Sequence, residues 1–327
     1  MKLLNTTLCL LLMFVLLACE EPPARDVDYR VYHQMINDAH LAIYHHDYEL
    51  ADASFKAAYN YVPRAFKHDY LKSAINAMRI GEEEQAFIWL DSAALLGITE
   101  KSWERDTAIY RLTEAEQWSE FQNKFPDLHK RYKSRLNKDV LASVAWLDSL
   151  EIAFQESIGT DEEITWQWFY KTNHDSLLAL IERHDGWPGI SLKGDNTMHR
   201  ENQWMVLQHR TWEDFRSLDS VYLQAIIDGE LYPHQYGYAY DCHYLNRVFS
   251  AYHRKLKEEG EATEATVPDI EFWFGELTNL SFQDDKIKGL ARPEFETNLD
   301  RKKWGMPPVR DFLKFSSSGN EVEIIIE

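Results

Sequence analysis

Between residues 39 and 98 a set of small and aromatic residues recurs at one offset, and this constrains the fold more than any other feature. Ala39, the pair Asp47-Tyr48, Ala51, Phe55, Ala58 and Pro63 make the first copy. Ala74, the pair Gly81-Glu82, Ala86, Leu90, Ala93 and Ile98 make the second, 35 positions on for the single residues and 34 for the pair, with Ile98 where proline would stand. The steps of four and three in Ala51, Phe55, Ala58 put these side chains on one helical face. Alanine at such positions lets two helices approach closely, while Phe55 or Leu90 fills the groove between them. A repeat of this length built from helical segments predicts a stack of helix pairs, and the chain as a whole is expected to be all-α.

The first copy resembles a tetratricopeptide unit. The resemblance implies a short helical solenoid whose concave face takes a protein or peptide partner; a purely structural spacer is the alternative. Two copies fall short of the roughly three that stand alone, so flanking helices are expected to complete the stack. Residues 100–159 suit that role: WERDTAIYRLTEAEQWSEFQNKF and LASVAWLDSLEIAFQESI both have helical apolar spacing. Asn137 or Asp139 begins the second of these and Gly159 ends it. The repeat domain with its capping helices is therefore expected over 29–159.

Ahead of the repeats stands MKLLNTTLCLLLMFVLLAC, one lysine and an apolar run before Ala18 and Cys19. This is the pattern of a signal peptide over 1–18, and the apolar run is shorter than the roughly 20 residues a membrane-spanning helix needs. Leu16-Leu17-Ala18-Cys19 resembles the lipobox of bacterial lipoproteins. The resemblance implies a lipid on Cys19 and attachment to a membrane through it. The acidic, proline-bearing segment 19–28 reads as a flexible tether. Glu20 and Glu21 resemble acidic surface-export signals, which points to the outer membrane; a surface-exposed and a periplasmic orientation both stay open. A net charge of −19 excludes binding nucleic acid through its phosphates. With Cys9 removed and Cys19 lipidated, Cys242 is left without a partner for a disulfide and reads as a small buried hydrophobe.

The region 160–315 continues in helical periodicity, with Asp161 as a candidate cap. In SLLALIERHDGWPG the helix is expected to stop at Gly186, in a left-handed conformation, with Trp187 folding back and Pro188 forbidding continuation. MHRENQWMVLQH forms a further helix carrying Gln208 and His209. TWEDFRSLDSVYLQAIIDGEL forms another, capped by Thr211 with Asp214, striped by Phe215, Leu218, Tyr222 and Ala225, and closed at Gly229-Glu230. The GWP corner, Gly194, Gln208-His209, Gly229-Glu230, Asn298, Asp300-Arg301-Lys302-Lys303 and Gly305-Met306-Pro307-Pro308 together resemble a bacterial domain of unknown function. That domain is found in secreted or lipid-anchored proteins, sometimes behind tetratricopeptide repeats. The chain departs from its pattern where an Asp-Arg pair and a Tyr-Gly-Thr-Gln stretch would stand: Asp241 lacks the adjoining arginine, and KLKEEGEATEATVPD reads as a charged insertion. Residues 316–327 are left as a tail.

Two functions compete on these residues. One is interaction or scaffolding at the cell envelope, with the repeats contacting a protein or peptide. The other is a hydrolase in which His209 pairs with a carboxylate from Asp185, Glu230 or Asp241 as general acid and base. No GxSxG, SxxK, phosphate loop, HExxH or CxxC is present, so neither a cofactor nor a metal is expected. Trp187, Gln208, Tyr236 and Tyr240 are candidate ligand-binding residues, because flat rings with polar edges make good walls for carbohydrate or peptide. An aromatic-lined core element is the alternative.

Overall fold

The computed structural model describes residues 27–100, 109–160, 164–194, 211–259, 281–283, 286–288 and 293–311. The fold is all-α; among the described residues the extended segments are two antiparallel three-residue strands, β1 (Ser281–Gln283) and β2 (Lys286–Lys288).

Helices α1 (Tyr29–Tyr44) and α2 (Tyr48–Tyr61) form one hairpin, and α3 (Lys67–Arg79) and α4 (Glu83–Ala94) a second. Their starts have local causes. Asp28 accepts the Arg30 N–H at 2.9 Å, and Asp47 accepts the Leu50 N–H at 3.1 Å, each satisfying an orphan donor of a first turn. The turns use positive φ, 60° at His46 and 81° at Gly81. Ala39, Ala51, Phe55 and Ala58 are completely buried in the first hairpin, as are Ala74, Ala86, Leu90 and Ala93 in the second. The hairpins are joined through α2 and α3, where the Tyr59 hydroxyl donates to Ser73 Oγ at 2.9 Å and Asn76 Nδ2 donates to the Tyr48 carbonyl at 2.9 Å.

Helix α5 (Tyr110–Thr113) is a single turn, and α6 (Trp118–Arg135) lies against α4. The apolar spacing of the sequence is helical over 103–125. Instead α6 begins later and runs through Pro126. Phe121, Phe125 and Leu128 share a core with Leu90 and Ile98, and that tertiary burial outweighs the hydrogen bond a helical proline forfeits.

Asn137 caps α7 (Lys138–Ser157), accepting from the backbone N–H groups of Asp139 and Val140 at 3.0 and 3.1 Å. Thr165, rather than Asp161 (which lies outside the described residues), caps α8 (Trp166–Arg183). These two helices pair, and α7 buries Val140, Val144 and Leu147 with Leu177, Leu180, Phe215 and Tyr222 of the C-terminal half. So α6 covers the second hairpin, whereas α7 spends its apolar face on the elements that follow it.

After the one-turn α9 (Ile190–Lys193), the helix expected over 211–230 is two: α10 (Trp212–Ser217) and α11 (Asp219–Ile227). Leu218 sits between them at φ −98° and ψ 5°, its N–H bonded to Phe215 three residues back. One turn is thereby tightened, and Phe215, Leu218, Tyr222 and Ala225 all still reach the core. Helix α12 (Pro233–Glu259) is continuous and takes in the aromatic stretch from Tyr236 to Tyr244 and the start of the charged segment read as an insertion. Helix α13 (Glu294–Lys303) precedes the Gly-Met-Pro-Pro turn. Ile190 and Tyr232 belong to the core of the first hairpin, so the two halves share buried surface.

Candidate functional site

The motif glycines of the C-terminal half mark a seam. Gly229 has φ +70°, and a Cβ there would stand 2.5 Å from the Tyr29 ring of α1. Gly305, at φ +79°, brings the turn after α13 against Arg30, whose Nη1 donates to the Lys303 carbonyl at 3.2 Å. At Gly189 a Cβ would overlap Glu230, and at Gly97 and Gly194 it would overlap the ring of Tyr132. These glycines are needed where the backbone must pass a neighbouring side chain with no room for a side chain of its own.

Glu230 is committed to this seam. Its carboxylate accepts from Arg64 at 3.0 Å through one oxygen and from the Ser191 N–H at 2.7 Å through the other. Its carbonyl accepts the Ile190 N–H at 3.2 Å, and Arg64 also donates to the Gly229 carbonyl at 2.8 Å. The Tyr29 hydroxyl donates to the Arg64 carbonyl at 2.7 Å, so one arginine ties the first hairpin to the Gly-Glu corner.

Asp185 is exposed at the end of α8. The helix closes with paired 6→1 and 5→2 bonds, Gly186 N–H to the Ile181 carbonyl at 3.0 Å and Asp185 N–H to that of Glu182 at 3.3 Å. The residue expected in the left-handed position was Gly186. It is Asp185, at φ 52°, because His184 is the cap and the chain must reverse one residue earlier to make both bonds. Gly186 follows at φ 151° and lets Trp187 turn into the core, edge-on to Tyr222 at 5.1 Å. Asp241 is fully buried on α12. The three carboxylates named from the sequence therefore occupy three different environments. His209, Gln208 and Cys19 lie outside the described residues, as does the 316–327 tail.

Tyr236 and Tyr240 are drawn into one network. The Tyr236 hydroxyl donates to Asp219 Oδ1 at 2.9 Å, Arg216 Nε donates to Asp219 Oδ2 at 2.5 Å, and Arg216 Nη1 donates to the Tyr240 hydroxyl at 2.9 Å. Tyr236 stacks on Trp304 with centroids 3.7 Å apart, and both tyrosines are buried. Burial, reinforced by the charge of Asp219, pushes the Tyr236 hydroxyl far above its ordinary range. Beside it on α12, burial raises the Cys242 thiol to about 11, so it is a thiol and not a thiolate at neutral pH. The network borders a shallow cavity of about 290 Å³, but its hydrogen-bonding groups are largely spent on each other. It locks α10, α11, α12 and α13 together.

The feature sequence reasoning did not find is a cleft of about 460 Å³ between α1 and α13. Gln34, Asn37, Asp38 and Leu41 of α1 form one wall; Phe295, Asn298, Leu299 and Lys302 of α13, with Met306, Pro307, Pro308 and Asp311, form the other. Phe295 is 71% exposed and Leu299 55%, although both are large and apolar. The walls are held from behind. Asn298 accepts the Val309 N–H at 2.9 Å, and the buried Arg301 donates to the Pro307 carbonyl at 2.5 Å, which fixes the Gly-Met-Pro-Pro turn. Burial and the nearby Asp311 charge raise the carboxyl of Asp38 above its ordinary value. The signal was present in EFETNLDRKK, where two apolar residues four apart stand alone in a polar helix. Its meaning depends on α1, which is remote in sequence.

Comparison with protein-family models, curated proteins and solved structures gives no match to the chain. The functional reading therefore rests on this geometry.

Proposed function

We propose that this chain is a lipid-anchored interaction module of the cell envelope, in which the cleft between α1 and α13 takes a peptide segment of a partner protein. The observation that carries it is Phe295 and Leu299 standing exposed on a wall that backbone and side-chain hydrogen bonds hold in place. Water-exposed aromatic and aliphatic side chains lining a preformed concave surface favour an apolar ligand, because their burial is gained on binding and little order must be imposed. The first helix supplies one wall and the C-terminal half the other, a site different from the concave repeat face that a tetratricopeptide-like reading implies. The anchor reading rests on Leu16-Leu17-Ala18-Cys19; Cys19→Ser is expected to abolish incorporation of labelled palmitate and to release the chain from membranes.

The hydrolase alternative finds no comparable support among the described residues, since Glu230 is occupied by Arg64 and Ser191 and Asp185 serves a helix end. The test is photo-crosslinking in the native host. A benzophenone amino acid at Leu299 is expected to give a discrete protein adduct, and the same group at Leu50, which is 54% exposed on α2, none. Identical adducts from both positions, or none from Leu299 and Phe295, would overturn the cleft reading.

A further inference from the structure

We infer that the side of α7 turned away from its core-facing residues is a self-association surface: two copies of the chain pair α7 on α7, antiparallel, about a two-fold axis at Ser149. This face shares no residue with the α1–α13 cleft and stands or falls apart from it.

Three observations support it. First, Ala142, Ala145, Trp146, Ser149, Ile152 and Ala153 are all exposed, and their steps of three and four put them on one side of the helix. Trp146 keeps 46% of its surface in solvent and Ile152 57%. Over this stretch α7 exposes no charged side chain, for Asp148 is half-buried and Glu151 buried. On a chain of net charge −19, such a face lets two copies meet without setting like charges against each other. Lys171, Asp175, Glu182 and Arg183, exposed on the neighbouring α8, then fall at the rim, where charge stays in water. Secondly, the face is symmetric about Ser149. In an antiparallel pair, residues equidistant from the axis meet, so Trp146 lies on Ile152 of the second copy and Ala145 on Ala153. The Ser149 hydroxyl at the centre is small and already donates to the Trp146 carbonyl at 2.7 Å, so covering it strands no donor. The same register brings Glu156 within a turn of Lys138 of the second copy, and both are exposed. Beside Trp146, the small side chains of Ala142, Ser143, Ser176 and Ala179 leave a groove of about 350 Å³ that admits a side chain of the second copy. Thirdly, the area suffices. With α7 at 20 residues, the α7–α8 face is about 30 Å long and about 20 Å wide, and pairing two such faces covers on the order of 1,200 Å², the lower bound for a specific interface.

The experiment uses the full-length chain carrying Cys242→Ser, in the membranes of its host, oxidised with copper–phenanthroline and read on non-reducing gels. Ser149→Cys is expected to give a disulfide-linked dimer, because the axis holds the two Cα atoms within the roughly 7 Å that a disulfide spans. Gln155→Cys is expected to give no more dimer than the parent chain, since Gln155 lies off the face and its amide donates to the buried Glu151 at 2.8 Å. Ala145→Cys alone is expected to stay unlinked and to link to co-expressed Ala153→Cys. Trp146→Glu and Ile152→Glu, at exposed positions, are each expected to abolish the Ser149→Cys link while far-UV circular dichroism stays that of the parent. In sedimentation equilibrium of the detergent-solubilised chain, Trp146→Glu is expected to weaken the dimer by about thirtyfold or more, the scale of a central tryptophan. High salt is expected to tighten the dimer, because it screens the repulsion between two acidic copies. Linking from Ser149→Cys no better than from Gln155→Cys would overturn the inference, as would a link that survives both glutamate variants. Linking of Ser149→Cys to a different protein would overturn it as well, and give the face to that protein.

Discussion

The hairpins over 29–94 and the C-terminal half solve the same problem, close approach, with different residues. In the hairpins the close contact is helix on helix, and alanine suffices: Ala51, Ala58, Ala86 and Ala93 are fully buried with φ in the helical range. In the C-terminal half the close contact is a connecting turn on a side chain, and glycine is required: Gly229 against Tyr29, Gly305 against Arg30, Gly194 against Tyr132. The alanines repeat because each hairpin repeats its own geometry. The glycines do not, because each meets a different partner far off in sequence. Glycine blocks that look like the signature of an active site are here the places where one half of the molecule is fitted to the other.

The sharpest way to break that comparison is to exchange the two residue types. Gly229→Ala meets both a positive φ and the Tyr29 ring, so it is expected to cost roughly 3 kcal/mol, against roughly 1 kcal/mol for Ala58→Gly in the middle of α2. Urea unfolding of both variants decides it; equal losses would mean the seam is loose enough to absorb a methyl group.

Acid should act next most strongly, and on the first hairpin. His33 and His40 of α1 are buried among aromatic rings, and burial holds both well below the ordinary imidazole value, His33 at about 3. A lowered value in the folded state means that the unfolded chain binds the proton first. The stability these histidines contribute is therefore complete above about pH 6.5 and is lost as the pH falls from there, for His33 down to about 3, by roughly 1.4 kcal/mol per pH unit while a group is protonated only in the unfolded chain. The urea midpoint is expected to drop between pH 7 and 5.5, and to drop less in the His33→Leu, His40→Leu double variant. An unchanged drop in the double variant would assign the acid sensitivity elsewhere, first to His68, whose imidazole burial also holds well below its ordinary value.

What could be read from the sequence follows from the range of the interactions involved. Asp47 caps its own helix, Gly81 turns its own hairpin and Asn137 caps α7, all settled within a few residues. Leu218 could not be read that way, because the tightened turn there is a response to packing in a core assembled from five other helices. Glu230 was visible as a candidate acid but not as the partner of Arg64, since nothing in a Gly-Glu pair states what lies opposite. The cleft was legible only as two stray apolar residues in α13, for its other wall is α1, from the far end of the chain.

The Arg64 contact gives a smaller and more local test of the seam. Arg64 and Glu230 keep 25% and 19% side-chain exposure, so water tempers their attraction and the hydrogen bonds to Gly229 and Glu230 carry most of the effect. Arg64→Ala is expected to cost about 1.5 kcal/mol. Arg64→Lys is expected to recover only part of that, because both bonds come from Nη2 at the far end of the guanidinium and the shorter lysine does not carry its ammonium that far. Full recovery by lysine would show that charge alone holds the corner.

The smallest effect separates punctuation from chemistry at the corner after α8. Asp185 is held at φ 52° so that its N–H can reach the Glu182 carbonyl, a conformation glycine adopts without the clash a Cβ brings. If its purpose is to end the helix, Asp185→Gly should raise stability by about 0.5–1 kcal/mol, the increase in unfolded-chain entropy being offset by relief of the left-handed strain. If the carboxylate is instead held there for a ligand or a reaction, the same substitution gives that gain and also alters a property the helix end does not control. Crosslinking from Leu299 in the α1–α13 cleft should be indifferent to it, since Asp185 lines no part of that cleft. A loss of stability would mean the carboxylate has a structural partner, and the helix-stop reading of Asp185 would fall.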